Sequence, residues 1–82
     1  MRVTVRKSAV KDLRRIHDPY KRKIQEAVRW LVDFPDISQI KRLVRHDPKF
    51  RMRVGEYRIL FDVKEDEIIV ARVLHRKESY TK

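Results

Sequence analysis

The sequence predicts an α+β domain: a βαα helical hairpin packed on a small, mostly antiparallel sheet of four to five strands. Two patterns predict it. Apolar residues recur at helical spacing in the first part of the chain and at a spacing of two in the second. The chain's single glycine, Gly55, falls between two alternating runs, where a two-residue hairpin turn of the II′ type requires one. The length of 82 residues suits one domain over 1–82.

Residues 2–6 alternate polar and apolar and read as a strand. Ser8 can cap a short helix with Ala9, Leu13 and Ile16 on one face. Asp18-Pro19 starts a second helix, because proline at the first helical position gives up only an orphan donor. Its apolar stripe is Tyr20, Ile24, Ala27, Val28, Leu31 and Phe34, and Pro35 ends it by driving Phe34 out of helical geometry. After a polar connection at 36–39, a strand is expected over 40–45, closed by a turn at Asp47-Pro48. The runs 50–54 and 57–63 flank Gly55-Glu56, and a turn at 64–67 leads into a last strand over 68–75.

The apolar fraction of 41% supports one core, while the charged fraction, also 41%, is well above the ~25% of an ordinary domain. The net charge of +10 points to a polyanionic partner, since ion-pair networks by themselves need near balance. Absence of cysteine excludes disulfide frameworks, zinc ribbons and thiol nucleophiles. One glycine excludes a glycine-rich phosphate loop. No carboxylate or histidine cluster has metal-ligand spacing, so neither metal nor cofactor is expected. No apolar run reaches the ~18 residues of a membrane span or resembles a signal peptide, so no membrane association and a cytoplasmic location are expected.

The Gly55 turn fixes the register of the hairpin. Val54 faces Tyr57, Arg53 faces Arg58, Met52 faces Ile59, Arg51 faces Leu60 and Phe50 faces Phe61. The apolar set then buries against the helices, and Arg51, Arg53 and Arg58 share the other face. With the next turn at 64–67, Val63 is expected opposite Ile68, Arg58 opposite Val73, and His75 on the arginine side. Opposed like charges in a sheet cost up to about 1 kcal/mol per pair. Replacing Arg58 with alanine is therefore expected to leave stability unchanged or to raise it. Clustered guanidiniums suit phosphate, which they grip with paired hydrogen bonds.

The stretch Phe50-Arg51-Met52-Arg53-Val54-Gly55-Glu56-Tyr57-Arg58-Ile59-Leu60-Phe61, followed by His75-Arg76-Lys77-Glu78-Ser79-Tyr80, resembles the RelE/ParE toxin superfamily, and its RelE-like branch in particular. The resemblance covers nearly the whole chain. It implies a toxin that is a ribosome-associated, metal-independent mRNA endonuclease, partnered by an acidic antitoxin. In such cleavage a ribose 2′-OH attacks the adjacent phosphate, giving a 2′,3′-cyclic phosphate and a 5′-hydroxyl. The implied catalytic set is Arg51, Arg53, Arg58, His75, Arg76 and Tyr80. Lys41, Arg42, Arg45, Lys49 and Lys77 are the accompanying RNA-binding cations. The family often carries lysine where Arg51 and Arg53 stand, and arginine is a poor base. Proton transfer would then fall to His75, Tyr80, Lys49 or groups of the ribosome.

Three other readings stand beside this one, the plainest being an antitoxin-neutralised toxin that has lost its activity. A ParE-like toxin binds a topoisomerase and cuts nothing, and would not need the arginines and tyrosine together. A plain nucleic-acid-binding module would stack bases on its sheet, yet Phe50, Tyr57 and Phe61 fall on the face expected to be buried. For an acidic partner, Trp30 and the 37–40 connection are the candidate apolar contacts, although Trp30 is first expected to pack on the shoulder of the helical hairpin.

Overall fold

The computed structural model describes residues 1–36 and 39–79. The elements run β1 (Arg2–Val5), α1 (Lys7–Arg14), α2 (Tyr20–Trp30) with a 3₁₀ turn over Leu31–Asp33, β2 (Ile40–Arg42), β3 (Phe50–Val54), β4 (Tyr57–Lys64), β5 (Glu67–His75) and α3 (Arg76–Ser79). The strands form one five-stranded sheet in the order β1-β5-β4-β3-β2. β1 pairs parallel with β5 and the other neighbours are antiparallel. The expected fold class is the observed one.

Each helix buries most of the stripe its spacing marks; Tyr20, expected at the start of the α2 stripe, is instead 50% exposed, because it stands in the first turn at the edge of the sheet. Ala9 and Ile16 enter the core from α1 and its exit, Ile24 and Ala27 from α2, and Leu31 from the 3₁₀ turn. They meet Met52, Ile59, Phe61, Ile68, Val70 and Val73 of the sheet. Phe34 ends the helical run in extended geometry before Pro35 (φ −53°, ψ 136°). Its ring meets Phe50 and Phe61 edge-on at 5.4 and 6.0 Å, and those two stack at 5.6 Å.

The helix starts differ from expectation in detail. Arg6 is the N-cap of α1, and the Ser8 hydroxyl instead donates to the Ala71 carbonyl at 2.6 Å. Pro19 is the N-cap of α2, while Asp18 Oδ1 accepts from the Arg22 amide at 3.2 Å. β2 is also shorter than expected. The Leu43 amide donates to the Lys49 carbonyl at 2.8 Å and Arg45 turns left-handed (φ 57°), which closes a loop where a longer strand was expected.

The β3–β4 hairpin has the expected register throughout, with Arg53 opposite Arg58. Gly55 has φ +59°, and Glu56 is not among the residues with positive φ, as a II′ turn requires.

The β4–β5 pairing departs halfway along. It holds from Val63 opposite Ile68 to Phe61 opposite Val70, and then a bulge sets Leu60 opposite Arg72. Arg58 therefore faces Leu74, not Val73, and Tyr57 faces His75. A regular ladder would have placed Arg72 opposite Ile59 in the core and turned Val73 outward. The extra residue reverses both, and Val73 is buried as a result. Beyond Val70, where β1 ends, α1 covers the outer edge of β5. Ser8 takes up the Ala71 carbonyl and Asp12 takes up the Val73 amide at 2.9 Å.

Candidate nucleic-acid interface

Strand alternation sorts the cations. α1 and α2 pack on the sheet face of Met52, Ile59 and Phe61. Arg51, Arg53 and Arg58 share the opposite face, with Lys41 paired beside Arg51. Their exposure is unequal: Arg53 is exposed, Arg51 half-buried, and Arg58 only 5% exposed. The Arg58 Nη1 donates to the Tyr57 carbonyl at 3.3 Å. Burial of its stem argues against the expectation that alanine there would be neutral or stabilising, because packing is lost along with repulsion. The accessible guanidiniums of the hairpin are those of Arg51 and Arg53.

The other expected site residues divide. Arg76 begins α3 beside the hairpin turn, its amide donating to the Glu56 carbonyl at 2.6 Å and its Nη1 lying 3.6 Å from Glu56 Oε1. Both of those side chains are about half exposed, so the ion pair is weak and Arg76 can exchange it for a phosphate. Lys77 is exposed, and its amide donates to His75 Nδ1 at 3.3 Å. His75 is not on the arginine side. The bulge turns it to the helix side, where its ring meets Tyr57 edge-on at 5.3 Å. Arg42 pairs with Phe50 and lies over that ring at 5.7 Å, so it too is away from the arginine face. Arg45 and Lys49 are exposed on the β2–β3 connection, and the Lys49 amide donates to Asp62 Oδ1 at 2.8 Å. Tyr80 lies outside the described residues, as do residues 37 and 38 of the connection expected to meet a partner.

One group was missed. Asp12 is buried and accepts from Arg72 Nε at 2.8 Å, Arg72 Nη2 at 3.1 Å and the Val73 amide at 2.9 Å. This fork-to-fork clasp joins α1 to the bulge of β5. Two signals in the sequence could have found it: a carboxylate on the Ala9–Leu13–Ile16 face of a helix, and an arginine inside an apolar strand. Beside the clasp, Arg15, Tyr57, Arg72 and His75 line a cleft of about 220 Å³ over Ile16.

Trp30, expected to pack on the shoulder of the helical hairpin, is instead 55% exposed because it stands off the α2 stripe, and Val32 and Met1 are exposed as well. The amino terminus donates to the Val32 carbonyl at 3.3 Å, which brings Met1 and Val32 together. Among the described residues, no three histidine, aspartate or glutamate side chains converge as metal ligands, and no helix is long and apolar enough to cross a membrane.

Residues 3–80 match the family profile described as ParE toxin of type II toxin–antitoxin system, parDE. The chain is 33% identical over 84 residues to Toxin RelE3 of Methanocaldococcus jannaschii, covering 98% of this chain and 96% of that one. The fold superposes on the RelB–RelE antitoxin–toxin complex from Methanococcus jannaschii with a TM-score of 0.77 at 31% identity, over 94% of each chain. It also superposes on the toxin–antitoxin complex RelBE2 from Mycobacterium tuberculosis with a TM-score of 0.75. That likeness covers 92% of this chain and 96% of the other at 23% identity, and it concerns the fold.

Proposed function

This chain belongs to the RelE/ParE family of toxins of type II toxin–antitoxin systems, and on that premise we propose that it is a cytoplasmic, RelE-like endonuclease that cleaves mRNA on the ribosome. The observation that carries the reading is the pairing of exposed Arg53 with half-buried Arg51 on a sheet face that α1 and α2 leave open, with Arg58 directly opposite Arg53. Folding alone gives no reason to gather three like charges there.

In this reading Arg51 and Arg53 hold the non-bridging oxygens of the scissile phosphate. They stabilise the charge that builds as the ribose 2′-oxygen bonds to phosphorus and the 5′-oxygen departs. The 2′-OH proton goes to a base, and the leaving 5′-oxygen takes one from an acid. Arg58 adds its charge from beneath Arg53, and Arg76 takes the flanking phosphate. His75, on the other side of the sheet, is not placed to carry either proton in this conformation. Lys49, which alternation sets on the side of Arg51, and Tyr80 are the residues of this chain left for that work, along with groups of the ribosome.

The partner in this reading is an acidic, RelB-type antitoxin. A net charge of +10 favours it, and exposed Trp30, or the Met1–Val32 pair held by the amino-terminal hydrogen bond, gives it an apolar anchor. A second reading, a ParE-like toxin without nuclease activity, is favoured by the description of the matching family profile.

The deciding experiment uses purified ribosomes, a defined mRNA and primer extension, with plasmid supercoiling measured in parallel. Cuts inside codons that fall at least ~100-fold with Arg51→Ala/Arg53→Ala, at unchanged melting temperature, support the endonuclease. Intact mRNA with blocked supercoiling refutes it in favour of the ParE-like reading.

A further inference from the structure

We propose that the cleft between the end of α1 and the ends of β4 and β5 is a second RNA contact, on the opposite side of the sheet from the arginine face, and that it takes one nucleotide of a single strand. This extends the RNA reading given above and rests on it.

The chemistry of the lining points to a nucleotide. Tyr20, Tyr57 and His75 form a run of rings, with centroids 6.0 Å apart for the first pair and 5.3 Å for the second. Tyr57 and His75 line the cleft itself. Unpaired bases stack on tyrosine, histidine and guanidinium planes. Arg15 supplies the phosphate contact. It is exposed at the C-cap of α1, and among the described residues its side chain makes no ion pair. Asp12 also lines the cleft, but its oxygens are taken by Arg72 and the Val73 amide, so its charge is largely offset.

Size and place agree. About 220 Å³ is below the ~300 Å³ floor for pockets that enclose a whole small ligand, which suits partial insertion of one residue of a longer strand. Tyr57 and Arg58 are consecutive and face opposite sides, so the cleft and the arginine face lie back to back across β4. A strand leaving the arginine face around the hairpin end passes Arg76 and its partner Glu56, and reaches the cleft. A carboxylate from a protein partner would use Arg15 and leave the rings idle.

The test measures binding of a 5′-fluorescein-labelled hexauridylate to the full chain and to single variants. Arg15→Glu is expected to weaken binding about tenfold or more and to lower the salt slope by about 0.7. Its melting temperature should stay within about 3 °C of the parent, and Arg15→Ala serves if it does not. Arg29→Glu, nine residues or about 13 Å further along α2 than Tyr20, reverses the same charge and is expected to change binding by less than about threefold. The ring resonances of Tyr57 and His75 should shift on adding the oligomer. Equal weakening by Arg15→Glu and Arg29→Glu, or rings that do not shift, overturns the proposal. So does an Arg15→Glu variant that binds RNA normally and loses an acidic protein partner. Loss confined to Arg51→Glu overturns the cleft and keeps the arginine face. Loss confined to Arg15→Glu supports the cleft and removes the support for the arginine face.

Discussion

Replacing Asp12 with alanine removes one carboxylate and three hydrogen bonds, and the losses differ in size. The Val73 amide is buried, and a buried N–H left without an acceptor costs about 1–3 kcal/mol. Breaking a buried ion pair costs about 3–5 kcal/mol, but the Arg72 side chain is 46% exposed and rehydrates when released. That half of the clasp is therefore nearer the ~1 kcal/mol of an exposed pair. The sum is about 2–4 kcal/mol, and at ~4–8 °C per kcal/mol in a domain of this size the melting temperature falls roughly 10–30 °C. Asp12→Asn keeps an oxygen for the Val73 amide and Arg72 Nε but loses the charge and sets an NH2 donor against Arg72 Nη2, so it falls by roughly 5–10 °C. The assay is thermal unfolding by circular dichroism with amide hydrogen exchange read at Val73. Exchange there should quicken more than at Val70, whose stretch is held by β1. A melting temperature for Asp12→Ala within about 3 °C of the parent, or unchanged protection at Val73, refutes the clasp.

Gly55→Ala should cost about 1–2 kcal/mol from the backbone alone, since φ is +59° and nothing lies within 4 Å of the added carbon; an unchanged denaturation midpoint would show that the turn relaxes. Arg58→Ala should lower stability by about 1 kcal/mol as its buried stem is lost, whereas Arg58→Met, which keeps the stem and drops the charge, should match or exceed the parent. A stabilising Arg58→Ala would mean that repulsion from Arg53 outweighs the packing. Trp30→Ala should leave melting within about 3 °C, because the ring is mostly exposed, and weaken binding of an acidic antitoxin about tenfold or more in calorimetry. Unaltered affinity would place that partner elsewhere.

The hairpin was legible because its determinants are local. One glycine with positive φ between two alternating runs fixes every pair from Val54–Tyr57 to Phe50–Phe61, and with it the shared side of Arg51, Arg53 and Arg58. The helical stripes were legible for the same reason, as Ile24, Ala27 and Leu31 recur at a spacing the backbone itself imposes. The cationic character followed from composition.

What the sequence left open depended on contacts between distant segments. The bulge in β5 arises because Val73 must reach the core while Arg72 must leave it, and Asp12, 60 positions from Arg72, receives that arginine. The one-residue slip carries His75 from the expected arginine side to the side of Tyr57, since side-chain direction in a strand has a period of two. The burial of Arg58 is equally beyond local reading: alternation gives a side chain's face, and only the folded neighbours decide whether that face is open to water. Local periodicity thus determined the elements, the hairpin register and the basic face of this protein. Tertiary packing decided which arginines are accessible and on which side of the sheet the histidine stands, because both turn on a single extra residue and on contacts made across the length of the chain.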